Sequence, residues 1–118
     1  MSVWHEKLPK SNTWLVGVNG RLDQSLIPQL EETLDELLEN GHNNLLVDLT
    51  QTTYINSGGL RCLVSAWRRA KALEGSLSLC GLNQRLQEIF AMVGFDQVFV
   101  IYTDCAGAPA VGRQEKNL

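Results

Sequence analysis

Leu45-Leu46-Val47-Asp48-Leu49, a polar link at Thr50-Gln51-Thr52-Thr53, and then Tyr54-Ile55-Asn56-Ser57-Gly58-Gly59-Leu60 form the most informative stretch of this chain. The first run is apolar at successive positions rather than alternating, the pattern of a short strand in a sheet with both faces covered. Tyr54-Ile55 reads as the end of a strand, Asn56-Ser57 as a polar turn, and a helix opens at once. In that helix Leu60, Leu63, Val64, Trp67 and Ala70 share one face, Arg61, Ser65, Arg68 and Ala72 the other, and Gly75 ends it. A strand feeding a helix through a two-residue turn is a unit of α/β architecture.

Upstream, Val3 to Leu8 is a weak apolar stretch closed by Pro9, and Trp14-Leu15-Val16-Gly17-Val18 reads as a strand. Asn19-Gly20 is a turn signal, read as a connection from that strand to a helix. From Ser25 the period becomes helical: Leu26, Ile27, Leu30, Leu34, Leu37 and Leu38 recur at three-and-four spacings, with Glu31, Glu32, Asp35, Glu36 and Glu39 between them. Asp23 or Ser25 is the expected cap, Pro28 fits the first turn, and Asn40-Gly41 the end. Downstream, Leu77-Ser78-Leu79-Cys80 alternates as a strand. A third helix follows, capped by Asn83, with Leu86, Ile89, Phe90 and Val93 inward and Gly94 as its stop. Val98 to Tyr102 is the last strand. Alternating strands and helices predict a single α/β domain with parallel pairings in a mixed sheet. The domain is expected over residues 1–103, and residues 104–118, which mix Ala, Gly, Pro and charges without period, are expected to be a loose tail.

With 118 residues the chain has room for one domain. A 44% hydrophobic share with 19% charged residues excludes wholesale disorder. The formal net charge of −3 argues against a general nucleic-acid binder. No apolar run approaches the roughly 20 residues of a membrane span, and no signal peptide is visible at the start, so no membrane insertion is expected. Cys62, Cys80 and Cys105, an odd number at wide spacing, are expected to be free thiols in a reducing compartment, which predicts a cytoplasmic location.

Catalytic and metal chemistry lack their usual residues. Gly58-Gly59-Leu60-Arg61 has no phosphate-loop Lys, and the dinucleotide Gly-x-Gly-x-x-Gly pattern is absent. His5 and His42 have no recognisable catalytic partners. No cysteine pair has the short spacing of a zinc site, so neither metal nor cofactor is expected. What remains is Ser57. It can cap the helix behind it, and it can also accept a phosphate. At the C-terminal edge of a sheet, against a helix N-terminus, two added negative charges are tolerated.

Val18-Asn19-Gly20-Arg21-Leu22-Asp23, then Leu45-Leu46-Val47-Asp48-Leu49-Thr50, then Tyr54-Ile55-Asn56-Ser57-Gly58-Gly59-Leu60 resemble successive blocks of STAS domains, the anti-sigma factor antagonists, over about residues 14–102. The resemblance implies a bacterial, cytoplasmic binding module with a mixed sheet flanked by helices, and no enzyme activity. It implies phosphorylation of Ser57, by position in an Asp-Ser-(Ser/Gly)-Gly-Leu stretch. The implied partners are an anti-sigma factor serine kinase, captured by the unphosphorylated form so that a sigma factor is freed for transcription, and a serine phosphatase that restores that form. The implied contact surface comprises Asp23, Asn56, Ser57, Gly58, Gly59, Arg61, Ser65 and Arg68; direct nucleic-acid contact is not implied. Asn56 stands where the family usually has Asp, and Gly58 where a second Ser is common. A STAS subunit of another assembly, of stressosome or lipid-transport type, is the alternative reading.

Overall fold

The structure is a computed structural model that describes residues 1–106 and Ala108. Its elements run β1 (Ser2–Lys7), β2 (Thr13–Leu22), α1 (Ile27–Glu39), β3 (Asn44–Asp48), β4 (Thr52–Ile55), α2 (Ser57–Ala72), β5 (Ser76–Cys80), α3 (Gln84–Met92) and β6 (Ile101–Tyr102), with a 3₁₀ turn at Phe95–Gln97. The strands lie in the order β1-β2-β3-β5-β6, with β4 also paired to β2. Only the β1–β2 pair is antiparallel. The expected mixed α/β sheet is therefore present.

Strand β2 departs from the expected boundaries. It does not stop at Asn19-Gly20 but runs on to Leu22, pairing with β3 through Thr13–Gly17 and with β4 through Gly20–Leu22. The register shifts between Gly20 and Arg21, and Gly20 takes a φ of 124°, a conformation that favours glycine. The turn signal thus marks a bulge inside a long strand. It lets one strand serve two partners and carries the chain towards the start of α2. The weak N-terminal stretch forms β1 because β2 offers it an antiparallel edge. Thr52-Thr53, read as part of a polar link, belong to β4, where the Thr52 hydroxyl donates to the Val18 carbonyl at 2.8 Å. The last strand is shorter than expected, since Phe95 to Phe99 curls through the 3₁₀ turn.

Helix α1 begins at Ile27, and its cap residue is Leu26 with no side-chain cap bond. Gly41 (φ 83°) ends the motif, with its N–H and that of His42 donating to Leu38 and Leu37 carbonyls. After α2 the left-handed residue is Glu74 (φ 62°), not the expected Gly75. Gly75 is needed for close approach, since a Cβ there would sit 1.9 Å from the Asn43 carbonyl oxygen.

Val16, Val18, Leu45, Val47, Leu77 and Leu79 of the sheet pack with Leu30, Leu34, Leu37, Leu38, Leu60, Leu63, Leu86 and Phe90 of the three helices in one core. The alternate residues Leu15, Leu46, Cys80 and Tyr102 face the other way and pack with Ala108. Trp4 also crosses the sheet over Gly17, where any Cβ would meet its indole at 2.0 Å.

The cysteine expectation is corrected. Cys80 and Cys105 form a disulfide across 25 residues, and only Cys62 is free among the described residues. Sequence spacing is blind to this pairing because parallel strands make it: Cys80 lies opposite Tyr102, three residues before Cys105. The segment expected as a loose tail, 104–118, thus holds an anchored residue at Cys105; 107 and 109–118 lie outside the described residues. No described helix is long and apolar enough to cross a membrane.

Candidate functional site

The C-terminal ends of β2 and β4 deliver the site. Arg21 pairs with Tyr54 and Leu22 with Ile55, so the turn after β2 lies beside the turn into α2. The two turns are joined twice. The Asn56 N–H donates to the Leu22 carbonyl at 3.2 Å, and Asn56 Nδ2 donates to Gln24 Oε1 at 3.3 Å.

Asn56 is the N-cap of α2: its backbone is extended (φ −102°, ψ −179°) and its Oδ1 accepts from the Gly59 N–H at 2.9 Å. This corrects the reading of Ser57 as the cap. One residue further on, Ser57 already has helical geometry, and its hydroxyl makes no hydrogen bond among the described residues. It is exposed. The Asn56 side chain reaches forward to the Gly59 N–H, so the cap is filled without the serine hydroxyl.

Asp23 also differs from its expected role as the α1 cap. Its Oδ1 accepts from the Ser25 N–H at 3.0 Å and from the Ser25 hydroxyl at 2.6 Å, while Oδ2 accepts from Arg21 Nε at 3.3 Å. The bonds from Ser25, side chain first, and then the Arg21 guanidinium hold its carboxyl below the ordinary value of 3.8. Its main-chain carbonyl, not its side chain, accepts from Leu26 and Ile27. Asp23 thus stiffens the turn that Gln24 links to Asn56.

The glycines behave differently. A Cβ on buried Gly59 would meet Ile55 Cγ1 at 2.8 Å and the Leu22 carbonyl oxygen at 2.9 Å, so α2 seats on the sheet only with glycine there. On Gly58 it would meet the tip of Ile27 at 3.1 Å, which can yield. Arg61 Nη2 lies 3.8 Å from that same point, close to the start of the helix. Arg61, Ser65 and Arg68 are all exposed on α2, but they are not equidistant from Ser57. At ~1.5 Å rise per residue, Ser65 stands about 12 Å and Arg68 about 16 Å along the axis. Arg69 is taken up by an ion pair with Asp35 of α1. Trp67 packs edge-on against Phe99, at 6.2 Å between centroids, as expected for a core residue.

Three neighbours escape sequence reading. Gln24 completes the cap network, Arg21 stacks over Tyr54 at 4.3 Å, and Ile27 abuts Gly58. No local pattern marks them, since the β2–β4 pairing alone brings them to the site. The first turn of α2 holds no acidic residue, and Arg61 lies close to the start of the helix, so the surface around Ser57 suits an anionic group.

The family model described as "Mlab, STAS domain" matches residues 9–102. The chain is 27% identical over 89 residues to the anti-sigma-B factor antagonist of Staphylococcus epidermidis, covering 75% of this chain and 82% of the relative. Among solved structures, it is similar to an anti-sigma factor antagonist from Mycobacterium paratuberculosis, with a TM-score of 0.83 at 20% identity over 95% and 93% of the two chains. It is similar too to the Bacillus cell-fate determinant SpoIIAA in its phosphorylated form, with a TM-score of 0.71 at 16% identity over 95% and 98%. With the family model matching residues 9–102, most of its length, the chain belongs to the STAS domain family.

Proposed function

We propose that this protein is an anti-sigma factor antagonist, a binding module of the bacterial cytoplasm controlled by phosphorylation of Ser57. The observation that carries the reading is the division of labour at the start of α2. Asn56 takes the cap, and the Ser57 hydroxyl is exposed without a hydrogen-bond partner among the described residues. An anti-sigma factor serine kinase would supply ATP and the base. Ser57 Oγ loses its proton as it bonds to the γ-phosphorus, and ADP leaves. A serine phosphatase reverses the state by hydrolysis.

Unphosphorylated, the surface formed by the Asp23 turn, Asn56 to Gly59, Arg61, Ser65 and Arg68 captures the kinase and frees a sigma factor. Its exposed guanidiniums favour an acidic partner surface. A phosphate adds about −1.5 to −2 charge at the helix N-terminus. Its effect is strongest at Arg61; Arg68, about 16 Å away along the axis, lies beyond the ~8 Å physiological screening length. Release therefore works through Arg61 and steric bulk rather than through the whole basic face.

Support comes from the relatives named anti-sigma factor antagonists and from the described STAS fold. Incubation with the candidate host kinases and ATP, followed by mass spectrometry, tests the reading: phosphate on Ser57, abolished by Ser57→Ala, is the expected result. Ser57→Asp should release a kinase that Ser57→Ala retains, with unchanged circular dichroism. A second reading, a STAS subunit of a stressosome or lipid-transport assembly, draws on the Mlab description of the matching family model and on Asn56 standing where Asp is usual. Absence of phosphate at Ser57 with every host kinase favours it.

A further inference from the structure

Away from Ser57, the ends of β3 and β5 bring Asp48 opposite Cys80, and the chain after β6 returns Cys105 to the same point. One ligand atom from each of the three residues lies within 4.8 Å of the others. We propose that this cluster is a redox-gated site for a borderline-soft divalent cation of the Zn²⁺ class: closed as the Cys80–Cys105 disulfide and opened by reduction to two thiols.

Two of the ligands sit at paired positions of adjacent parallel strands, so their separation is set by the sheet. Asp48 Oδ1 accepts from the Thr50 N–H at 2.9 Å, which orients the carboxylate. The Thr50 hydroxyl lies 3.7 Å from Cys105 Sγ, where it can donate to a thiolate. Thr50 gets this close only because residue 81 is glycine: its φ is +77°, and a Cβ there would lie 2.2 Å from Thr50 Oγ1. Outer contacts that fix ligands in this way are the usual support of a metal site. Cys80 is fully buried, while Asp48 and Cys105 are half-buried, so a cation enters from the Cys105 side.

The donor set selects the ion. Two thiolates with one carboxylate suit Zn²⁺, whereas Mg²⁺ and Ca²⁺ prefer oxygen alone. Three protein ligands leave the fourth tetrahedral position to water. The gate is chemical. The disulfide takes two electrons and two protons from a dithiol reductant, which leaves as its own disulfide, and the cation then displaces the two thiol protons to solvent. Cytoplasmic reductants maintain the thiol state, so in the compartment proposed above the gate stands open, whereas an oxidising one closes it as the disulfide seen here. The wide sequence spacing of the cysteines, which argues against a zinc site, is bridged by strand pairing.

The test is a Cd²⁺ titration of the full chain, followed by thiolate-to-metal charge-transfer absorption. Protein reduced with a phosphine should bind one equivalent, and air-oxidised protein none. Cys105→Ser, which alters a residue beyond the last strand, should abolish the band with an unchanged folded spectrum. Asp48→Asn, which keeps the oxygen that Thr50 contacts, should weaken binding at least about tenfold. Cys62→Ala should leave the band intact. A reduced wild type without the band, an oxidised one that has it, or a band surviving Cys105→Ser overturns the site. Unchanged affinity in Asp48→Asn removes Asp48 from it.

Discussion

Replacing Asn56 with Ala and, separately, Ser57 with Ala separates a residue that holds helix α2 from one that is merely carried by it. Asn56→Ala removes the Oδ1 acceptor of the part-buried Gly59 N–H and the exposed link to Gln24. Losing an N-cap costs about 1 kcal/mol, within a range of ~0.5–2; the 3.3 Å link to Gln24 adds little, since water replaces it. The expected total is about 1–1.5 kcal/mol. For a chain of this size that lowers the melting temperature by roughly 3–6 °C. Ser57→Ala removes a hydroxyl without a hydrogen-bond partner among the described residues from an exposed first-turn position, and alanine has the better helix propensity. Its effect should stay within about 0.5 kcal/mol of zero. Urea titrations followed by tryptophan fluorescence and by circular dichroism, with coincident transitions, provide both values. If Ser57→Ala costs as much as Asn56→Ala, the serine is the cap, its hydroxyl is engaged, and the accessibility argument for phosphorylation fails.

Further outcomes follow from the same geometry. Gly59→Ala should destabilise by about 1–3 kcal/mol, because its Cβ meets the Leu22 carbonyl; Gly58→Ala should fall within about 1 kcal/mol of wild type in the same titration, as helix propensity offsets the contact with Ile27. Burial first, then Glu31 and Asp35, push the Cys62 thiol up to about 12, so iodoacetamide should label it at pH 8 only after unfolding; rapid native labelling would refute this. The Asp23 carboxyl is lowered in the folded state. Its stabilising contribution is therefore present above its unfolded value near 3.8 and disappears as pH falls through the folded value. Carbon-13 NMR titration should find its midpoint below 3.8 and Ser25→Ala should raise it; a midpoint at or above 3.8 contradicts the turn geometry. Phe90→Ala, at a fully buried side chain where α3 meets the sheet, should cost about 3–5 kcal/mol by urea unfolding.

Local signals in the sequence were enough for the periodicity of α1 and α2, the cap at Asn83, the doubly covered character of β3 and the strand-to-helix turn carrying Ser57. These are properties of neighbours three or four residues apart, or of one turn, so composition and spacing determine them. Tertiary structure decided what depends on distant partners. Gly20 reads as a turn in isolation, yet β3 and β4 both pair with β2 and convert it to a bulge. Asn56 and Ser57 are equally good caps by residue type; the helix begins where β4 leaves the β2 edge, which puts Asn56 at the cap and Ser57 beyond it. Gln24 has no signature, because its role arises when two turns meet. Cys80 and Cys105 look unrelated across 25 residues, and only the β5–β6 pairing brings them within bonding distance. Short-range chemistry thus set the elements, and strand pairing set which of their side chains became accessible.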